Sequence, residues 1–464
     1  MSGFGTGPAI RDELQCDVLV VGGGVTGIAA ATAAGRAGAK TILLETRPFV
    51  GGNGNTGLCL HNFISRLGKQ AVFGLAQEIV NRLIPIGGAV GHVAYSGFVS
   101  AVTPVDGDLF RIVVTEMLDE AGVQIIYGAL VIDTETDGAG TVTGLTVAMK
   151  GGLRTVRARA IVDASGDGDV AVQAGAPFRI GENNSGRMQP VSMLLHFIGV
   201  DTGQAAEALG DVPPAMAVKA GHPDPFPVYF DGSFRAWNEV VMEEGIFPNR
   251  DRNVFFNTVW PDRLNVNTSA VVDIDGTDPI AMSRATVDLT RQCGRIGEFM
   301  KRHVPGFANA TYVPAAIVGV RESRNIQGLY EISDDDVKSG RKFDDTIGQI
   351  CFPVDIHAPE SGQATFDPIG DDGTFDIPYR AMVPKGLANL LVAGRCISAS
   401  HYAHGATRNM APCLVDGEAA GTAAAISART NASFPDLDVA RLQAELVAAG
   451  AYLGDGFART QAAS

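Results

Sequence analysis

The chain has 464 residues, 46% of them hydrophobic and 19% charged, with 57 glycines and a formal net charge of −15. That length calls for about two to three domain-sized units, and the composition is that of a packed globular protein rather than a disordered one. The acidic balance weighs against a nucleic-acid backbone or an anionic membrane surface as the main partner, because both repel it.

The chain opens with MSGFGTGPAIRDELQ, which has neither the basic start nor the apolar run of a signal peptide. No apolar run is long enough to span a bilayer. The six cysteines, Cys16, Cys59, Cys293, Cys351, Cys396 and Cys413, form no CxxC pair and no zinc-like spacing. No metal is therefore expected, and reduced thiols in a cytoplasmic protein are the simplest reading.

The first clear element is CDVLVV, Cys16 to Val21, a continuous apolar run that reads as a buried parallel strand. Gly22-x-Gly24-x-x-Gly27 follows, then an alanine-rich helix to about Gly35, then a second strand, KTILLE, ending at Glu45. Each glycine has a task at a dinucleotide site. Gly22 permits the tight turn, Gly24 lets backbone approach a pyrophosphate, and Gly27 lets helix and strand pack closely. The helix start offers unpaired N–H groups to phosphate, and Glu45 is placed to accept from ribose hydroxyls. A glycine-rich turn that binds nothing is the plainer alternative, but strand, helix, second strand and terminal acid occur here in the required order.

A second glycine-rich segment, TRPFVGGNGNTG from Thr46, follows the ribose acid directly. A cofactor extending along the chain explains it. NTGLCLHNF then brings His61 and Asn62. GDLFRIVVTEMLDEAG reads as an amphipathic helix with a terminal glycine. From Val123 onward, strands broken by glycine turns read as a meander that leads into a returning strand, AIVDASGDGD. From about Asn183 to Tyr312 prolines and both tryptophans appear and the pattern becomes irregular, as for an inserted domain. It starts with a strand in MQPVSMLLHFIGV and contains one long amphipathic helix, DPIAMSRATVDLTRQCGRIGEFMKRHV. LANLLVAG is another buried strand. SASHYAHGATRNMAP reads as a loop before a helix that starts near Pro412, and a last helix, DVARLQAELVAAG, lies in the tail. The glycine segment, the returning strand and LLVAGR converge on one cofactor, which fits FAD and fits NAD poorly.

VLVVGGGVTGIAAATAAGRAGAKTILLE, AIVDASGDGDVAVQAGAPF, GVRESRNIQG, YRAMVPKGLANLLVAGRCISASH and GEAAGTAAA together resemble a bacterial family of FAD-dependent oxidoreductases. The resemblance covers nearly the whole chain. It implies an α/β fold: a Rossmann-like FAD-binding domain of the glutathione-reductase type with a β-meander and an inserted α+β substrate domain. The expected division is 1–182 and 313–430 for the FAD-binding domain, 183–312 for the insert and 431–464 for a helical tail. The resemblance also implies that Gly22, Gly24, Gly27, Glu45, Gly51 and Gly52 line the ADP half and ribityl chain, and that Val131 holds the adenine through its backbone. It puts Asp167 and Gly394 near the phosphates or ribityl group. Thr46, Asn53, Ser165, Gly166, Arg395, Met410 and Ala411 complete the expected cofactor set. Many related flavoproteins carry an acid where Arg395 stands, so the residue that bonds the ribityl hydroxyls is left unassigned.

Placed over the flavin ring, the 398–412 stretch makes His401 the expected base, removing a proton from O–H or N–H as hydride leaves the adjacent C–H. His404 and His61 are further catalytic candidates, and Arg408 is expected to bind a substrate anion. The plainer readings are a histidine held by hydrogen bonds and an arginine paired with Glu418 or capping a helix. Arg321, Glu322 and Arg324 of VRESR read as an internal ion-pair network somewhat better than as catalytic groups. Core is the default for His196, and His357 stays ambiguous. Cys59 and Cys396 could reach the flavin but have no redox partner.

The activity expected is that of a dehydrogenase or oxidase acting on a small molecule, with oxygen, a quinone or an electron-transfer protein as acceptor and a homo-oligomer possible. No second GxGxxG is visible for NAD(P)H. A flavin monooxygenase or halogenase is one alternative, although neither Trp237 nor Trp260 lies in a WxWxIP-like context. A tRNA-modifying flavoprotein is another, opposed by the charge of −15. An assembly role with purely structural FAD is a third.

Overall fold

Strand β1 (Ile10–Val21), helix α1 (Val25–Arg36) and strand β2 (Thr41–Glu45) form the expected βαβ unit, with β1 and β2 parallel. Leu19, Val20, Leu43 and Leu44 are all buried, so the strands are covered on both faces and read as continuous apolar runs. The computed structural model describes residues 10–182, 185–246, 253–455 and 457. The first nine residues of the stretch inspected for a signal peptide, the boundary expected at residue 183 and the last residues of the tail lie outside the described residues.

Helix α2 (Gly107–Glu120) starts at Asp106, whose carboxylate accepts from the N–H groups of Asp108 and Leu109. Strand β3 (Gln124–Tyr127) then pairs in parallel with the outer edge of β2. Strands β4 (Leu130–Thr136), β5 (Val142–Met149) and β6 (Gly152–Asp163) form the antiparallel meander, and β6 also pairs in parallel with β1.

A second sheet contains β7 (Ser192–Ile198), β8 (Ala215–Lys219), β9 (His222–Ser233), β10 (Asn253–Asn257), β11 (Arg263–Asn267) and β12 (Thr311–Gly319). Its order is β8-β9-β10-β11-β7-β12, antiparallel throughout. Because β12 belongs to it, the second sheet continues past residue 312 to Gly319. Helix α3 (Pro279–His303) lies between β11 and β12, as expected from its periodicity. Phe197, Phe230, Phe256, Leu264 and Val266 share a core with Leu289, Cys293, Ile296 and Phe299 of α3. Side chains alternate across a strand, so Tyr229, Phe255, Asn257, Asn265 and Asn267 face the other way.

Strand β13 (Leu390–Val392) pairs in parallel with the last residues of β6, leaving the first half of β6 to the meander. The first sheet thus has seven strands, parallel except in the meander. The stretch after β13 differs from the expected loop. It folds into helix α4 (His401–Thr407), because the Ser400 side chain accepts the Ala403 N–H and caps its start. Helix α5 (Met410–Thr430) follows at once and begins before Pro412, which occupies its first turn, where a missing N–H costs nothing. Helix α6 (Val439–Ala448) forms the tail helix.

Candidate active site: a nucleotide cleft meeting an enclosed cavity

A cleft of about 370 Å³ runs past the carboxyl ends of β1, β2 and β6. Its walls contain Gly22, Gly24, Glu45, Thr46, Gly52, Asn53, Val131, Ser165, Gly166, Asp167, Arg395 and Met410 of the expected cofactor set. Gly22 takes φ +99° at the turn from β1, a conformation that glycine adopts without strain. A Cβ on Gly24 would meet open space, so the backbone there is bare toward the cleft. The N–H groups of the first turn of α1 lack carbonyl partners within the helix and open onto the same space. Glu45 is held firmly: Oε2 accepts the Gly23 N–H at 2.7 Å, and Oε1 accepts from the Arg47 N–H at 2.7 Å and the Thr46 hydroxyl at 3.1 Å. A lone pair remains on Oε2 for a hydroxyl group.

Four expected cofactor residues stand one layer back from the cleft. A Cβ on Gly27 would run into the Gly22 carbonyl oxygen, so this glycine sets the approach of α1 to the strand. The Gly51 N–H donates to the Gly23 carbonyl at 2.7 Å. The Gly394 N–H donates to Asp416 Oδ2 at 3.0 Å. Ala411 is fully buried in α5. Arg395, found where related proteins carry an acid, donates to Asp167 Oδ1 at 2.7 Å and to the Ser323 hydroxyl at 2.8 Å. Ser323 in turn donates to Asp167 at 2.6 Å.

The cleft adjoins an inner cavity of about 110 Å³, and Asn53, Ile317, Val320, Arg408 and Met410 line both. The start of α5 also lies at this junction: Asn409 makes no side-chain cap, its Oδ1 is buried without a partner, and it lines the inner cavity. The outward face of the second sheet supplies Tyr229, Phe255, Asn257 and Asn267, and Phe98 and Phe352 close the apolar wall. His61 stands among these rings, edge-on to Tyr229 at 5.6 Å between centroids, with Phe352 at 5.8 Å. Its Nε2 has no hydrogen-bond partner, and burial pushes its pKa down to about 4, so it is neutral at pH 7.

Asp355, His357, Arg321 and Arg408 form the polar end of the cavity. Arg408 Nη2 donates to Asp355 Oδ2 at 2.9 Å and to the Asp355 carbonyl at 2.8 Å, so its acidic partner is Asp355 and not Glu418. His357 Nε2 lies 3.1 Å from Asp355 Oδ1. Burial opposes ionisation of Asp355, and the neighbouring His357, Arg408 and Arg321 overcome it, holding its carboxyl well below the usual range.

His401 and His404 are not brought to this site. Helix α4 turns His401 onto Glu322, with Nδ1 2.7 Å from Oε1, and that contact raises its pKa against the opposing effect of burial. His404 is buried, which drives its pKa down to about 3. Neither lines the cleft or the cavity. The residues taken for a loop are helical, and the helix turns the His401 imidazole onto Glu322 and away from both spaces. Glu322, Ser323 and Arg324 belong to the internal network, Arg324 pairing with Asp169 at 2.6 Å, whereas Arg321 lines the cavity. His196 bonds Asn265 through Nδ1 at 2.7 Å. All six cysteines are buried free thiols.

Asp355, Tyr229, Asn257 and Asn267 escaped the sequence reading. Asn267 carried a signal: in RLNVN, asparagines alternate with apolar residues at the period of a strand with one polar face. Asp355 carried none, because its partner Arg408 is distant in sequence.

A broad hollow of about 810 Å³ beside α3, lined by Glu244, Arg291 and Arg302, shares no residue with the cleft or the cavity. Among the described residues no helix is long and apolar enough to cross a membrane, and no cluster of three or more ligating groups suits a metal ion.

Comparison with known proteins agrees with this cleft. No curated protein matches the chain. Among solved structures it is similar to a geranylgeranyl bacteriochlorophyll reductase-like protein from Thermoplasma acidophilum, at 15% identity over 94% of this chain and 83% of that one, TM-score 0.47. It is also similar to p-nitrophenol 4-monooxygenase from Pseudomonas putida DLL-E4, at 12% identity over 97% and 92%, TM-score 0.46. A flavoprotein/dehydrogenase from Cytophaga hutchinsonii matches at 13% identity over 90% and 79%, TM-score 0.42. Likeness of that degree carries no argument about activity. The model of one family, described as FAD dependent oxidoreductase, matches residues 17–446. With bare backbone at Gly24, an acid at Glu45 and an uncapped helix start at the inner end, the cleft suits that cofactor, and the chain belongs to the FAD dependent oxidoreductase family.

Proposed function

We propose that this enzyme oxidises a small organic substrate, bound in the inner cavity, by hydride transfer to FAD held in the cleft. The observation that carries the reading is the shared wall: Asn53, Ile317, Val320, Arg408 and Met410 line both cleft and cavity, so an extended cofactor held in the cleft would end beside the cavity. On this reading the nucleotide-binding half is of the glutathione-reductase type, supported by its βαβ unit, meander and returning strand β13. Bound there, FAD supplies the two-electron acceptor. The free N–H groups at the start of α5 offer partial positive charge at the junction, where reduction adds negative charge. The second sheet and the phenylalanine wall exclude water from the reacting atoms.

On this reading His61 accepts the substrate proton. It is neutral, it lines the cavity and its Nε2 is unpaired. An O–H or N–H on the carbon that loses hydride would donate to it. Low basicity puts the acid limb of its action near its lowered pKa rather than in the ordinary histidine range.

The test is anaerobic mixing of the FAD-loaded enzyme with panels of small hydroxy acids, alcohols and amines, following the visible flavin band. Substrate-dependent bleaching supports the reading, and admission of air or a quinone then identifies the acceptor. Bleaching by NAD(P)H alone would overturn it in favour of a monooxygenase. With the substrate so found, His61→Ala should slow flavin reduction by about 10²- to 10⁴-fold with FAD content unchanged. An unaltered rate would remove His61 from the proton path.

A further inference from the structure

The inner cavity carries more fixed positive charge than its own acid can balance. Arg321 and Arg408 both line it, and Asp355 is the one acid among its described walls. Asp355 is engaged by Arg408 through two hydrogen bonds. Arg321 makes no ion pair among the described residues; its Nη1 donates to the Pro190 carbonyl at 2.7 Å. The two cavity histidines do not alter the balance, since burial pushes His61 and His357 each down to about 4 and leaves them neutral at pH 7. Burial lowers the guanidinium of Arg321 as well, assisted by Arg408 and opposed by Asp355, but only to about 10, so it stays charged. Two buried guanidinium groups that share one carboxylate leave one positive charge in excess, which is costly and persists where a ligand supplies the missing charge.

We propose that the substrate is a small monocarboxylate whose carboxylate is bound by Arg321. This rests on the inner cavity being the substrate site, and it names the chemical class that the cavity takes. A planar guanidinium matches a carboxylate with two parallel hydrogen bonds. Arg408, already neutralised by Asp355, frames the cavity and does not provide the anion site. The remaining walls define the rest of the molecule: Phe98, Tyr229, Phe255 and Phe352 suit an apolar or aromatic body. At roughly 10–15 Å³ for each water-sized position, a volume of about 110 Å³ offers about seven to eleven such positions, which suits a small body. A single negative charge restores neutrality, whereas a zwitterion would leave the excess in place.

The test measures binding, not turnover. The FAD-loaded enzyme is titrated with benzoate, cyclohexanecarboxylate and 4-methylpentanoate, each beside its uncharged primary amide, by calorimetry and by perturbation of the flavin spectrum. At least one acid is expected to bind about 10-fold or more tighter than its amide. Arg321→Gln should weaken that acid by about 10- to 100-fold and leave the amide unchanged, as expected for loss of a charge-assisted hydrogen bond. Arg321→Lys, which keeps the charge and loses the fork, should retain part of the preference. If Arg321→Gln does not fold, the wild-type and lysine enzymes decide alone. Amides binding as tightly as acids, no acid binding with a dissociation constant below about 10 mM, or a preference untouched by substitution would each overturn the proposal. An acid-selective cavity in an enzyme whose flavin no compound bleaches would refute the hydride reading alone. Bleaching confined to uncharged compounds would refute the carboxylate alone.

Discussion

Glu418 shows how far one buried side chain can depart from its ordinary chemistry. It lies in α5, beneath the amino terminus of the helix Gly74–Leu83, and its Oε2 accepts the Leu75 N–H at 2.9 Å. Burial still dominates and raises its pKa from 4.5 to about 7. Between those two values the folded protein holds a proton that the unfolded chain has released. Stability contributed here is full below about pH 4.5, declines as pH rises toward 7 and stays diminished above it, by about 3 kcal/mol in all. Glu418→Gln keeps an acceptor for Leu75 and cannot ionise. Urea denaturation should find the variant about 2–3 kcal/mol more stable than wild type at pH 8 and nearly equal to it at pH 4.5. A difference that does not change with pH would show that Glu418 is not the group responsible.

At the scale of elements, the nucleotide cleft depends on how closely α5 lies against α1. A Cβ on Gly417 would strike the carbonyl oxygen of Thr26, and one on Gly421 that of Ala30. The two glycines, four residues apart, share one helix face, so the backbones approach without side chains between them. That contact orients the first turn of α1 toward the cleft and the first turn of α5 toward the junction. Gly421→Ala should push the helices apart, cost about 1–3 kcal/mol in denaturant unfolding and lower the FAD content of the purified protein. Unchanged stability and full FAD content would show that this face has slack. The same neighbourhood explains where His401 points. Ser400 starts α4, and a helix points its side chains by its own geometry rather than by the needs of a nearby cofactor.

In the whole molecule the two sheets flank the site, and hydrogen bonds tie together the segments that carry them. Asn265 of β11 donates to the Gly57 carbonyl at 2.9 Å, and the indole N–H of Trp260 donates to the N-cap carboxylate of Asp106 at 2.7 Å. The cavity is walled by residues from both sides, so FAD binds the folded arrangement and not the unfolded chain. Stripping FAD should lower the melting temperature, and adding it back at 100 times its dissociation constant should restore about 2.7 kcal/mol of stability. A melting temperature indifferent to FAD would mean that the cleft is not formed by the fold described.

How much of this was legible beforehand follows from where each signal lies along the chain. Gly22, Gly24, Gly27 and Glu45 fall within one βαβ unit, so periodicity and spacing specified that end of the nucleotide cleft, and the family resemblance implied the rest of its walls. The long helix α3 and the strand β7 were readable for the same reason: an apolar stripe of helical or strand period must be buried. The inner cavity draws on β9, β10, β11, the Arg321 segment and the start of α5, which no local pattern links. His61 was noticed for its closeness to the glycine segment, but its rank above His401 depended on ring contacts from Tyr229 and Phe352. Pairing of Arg408 with Asp355 left Arg321 as the uncompensated cation. Local backbone chemistry thus determined the cofactor's cradle, whereas the balance of charge in the substrate cavity was decided by which remote side chains the tertiary fold brought face to face.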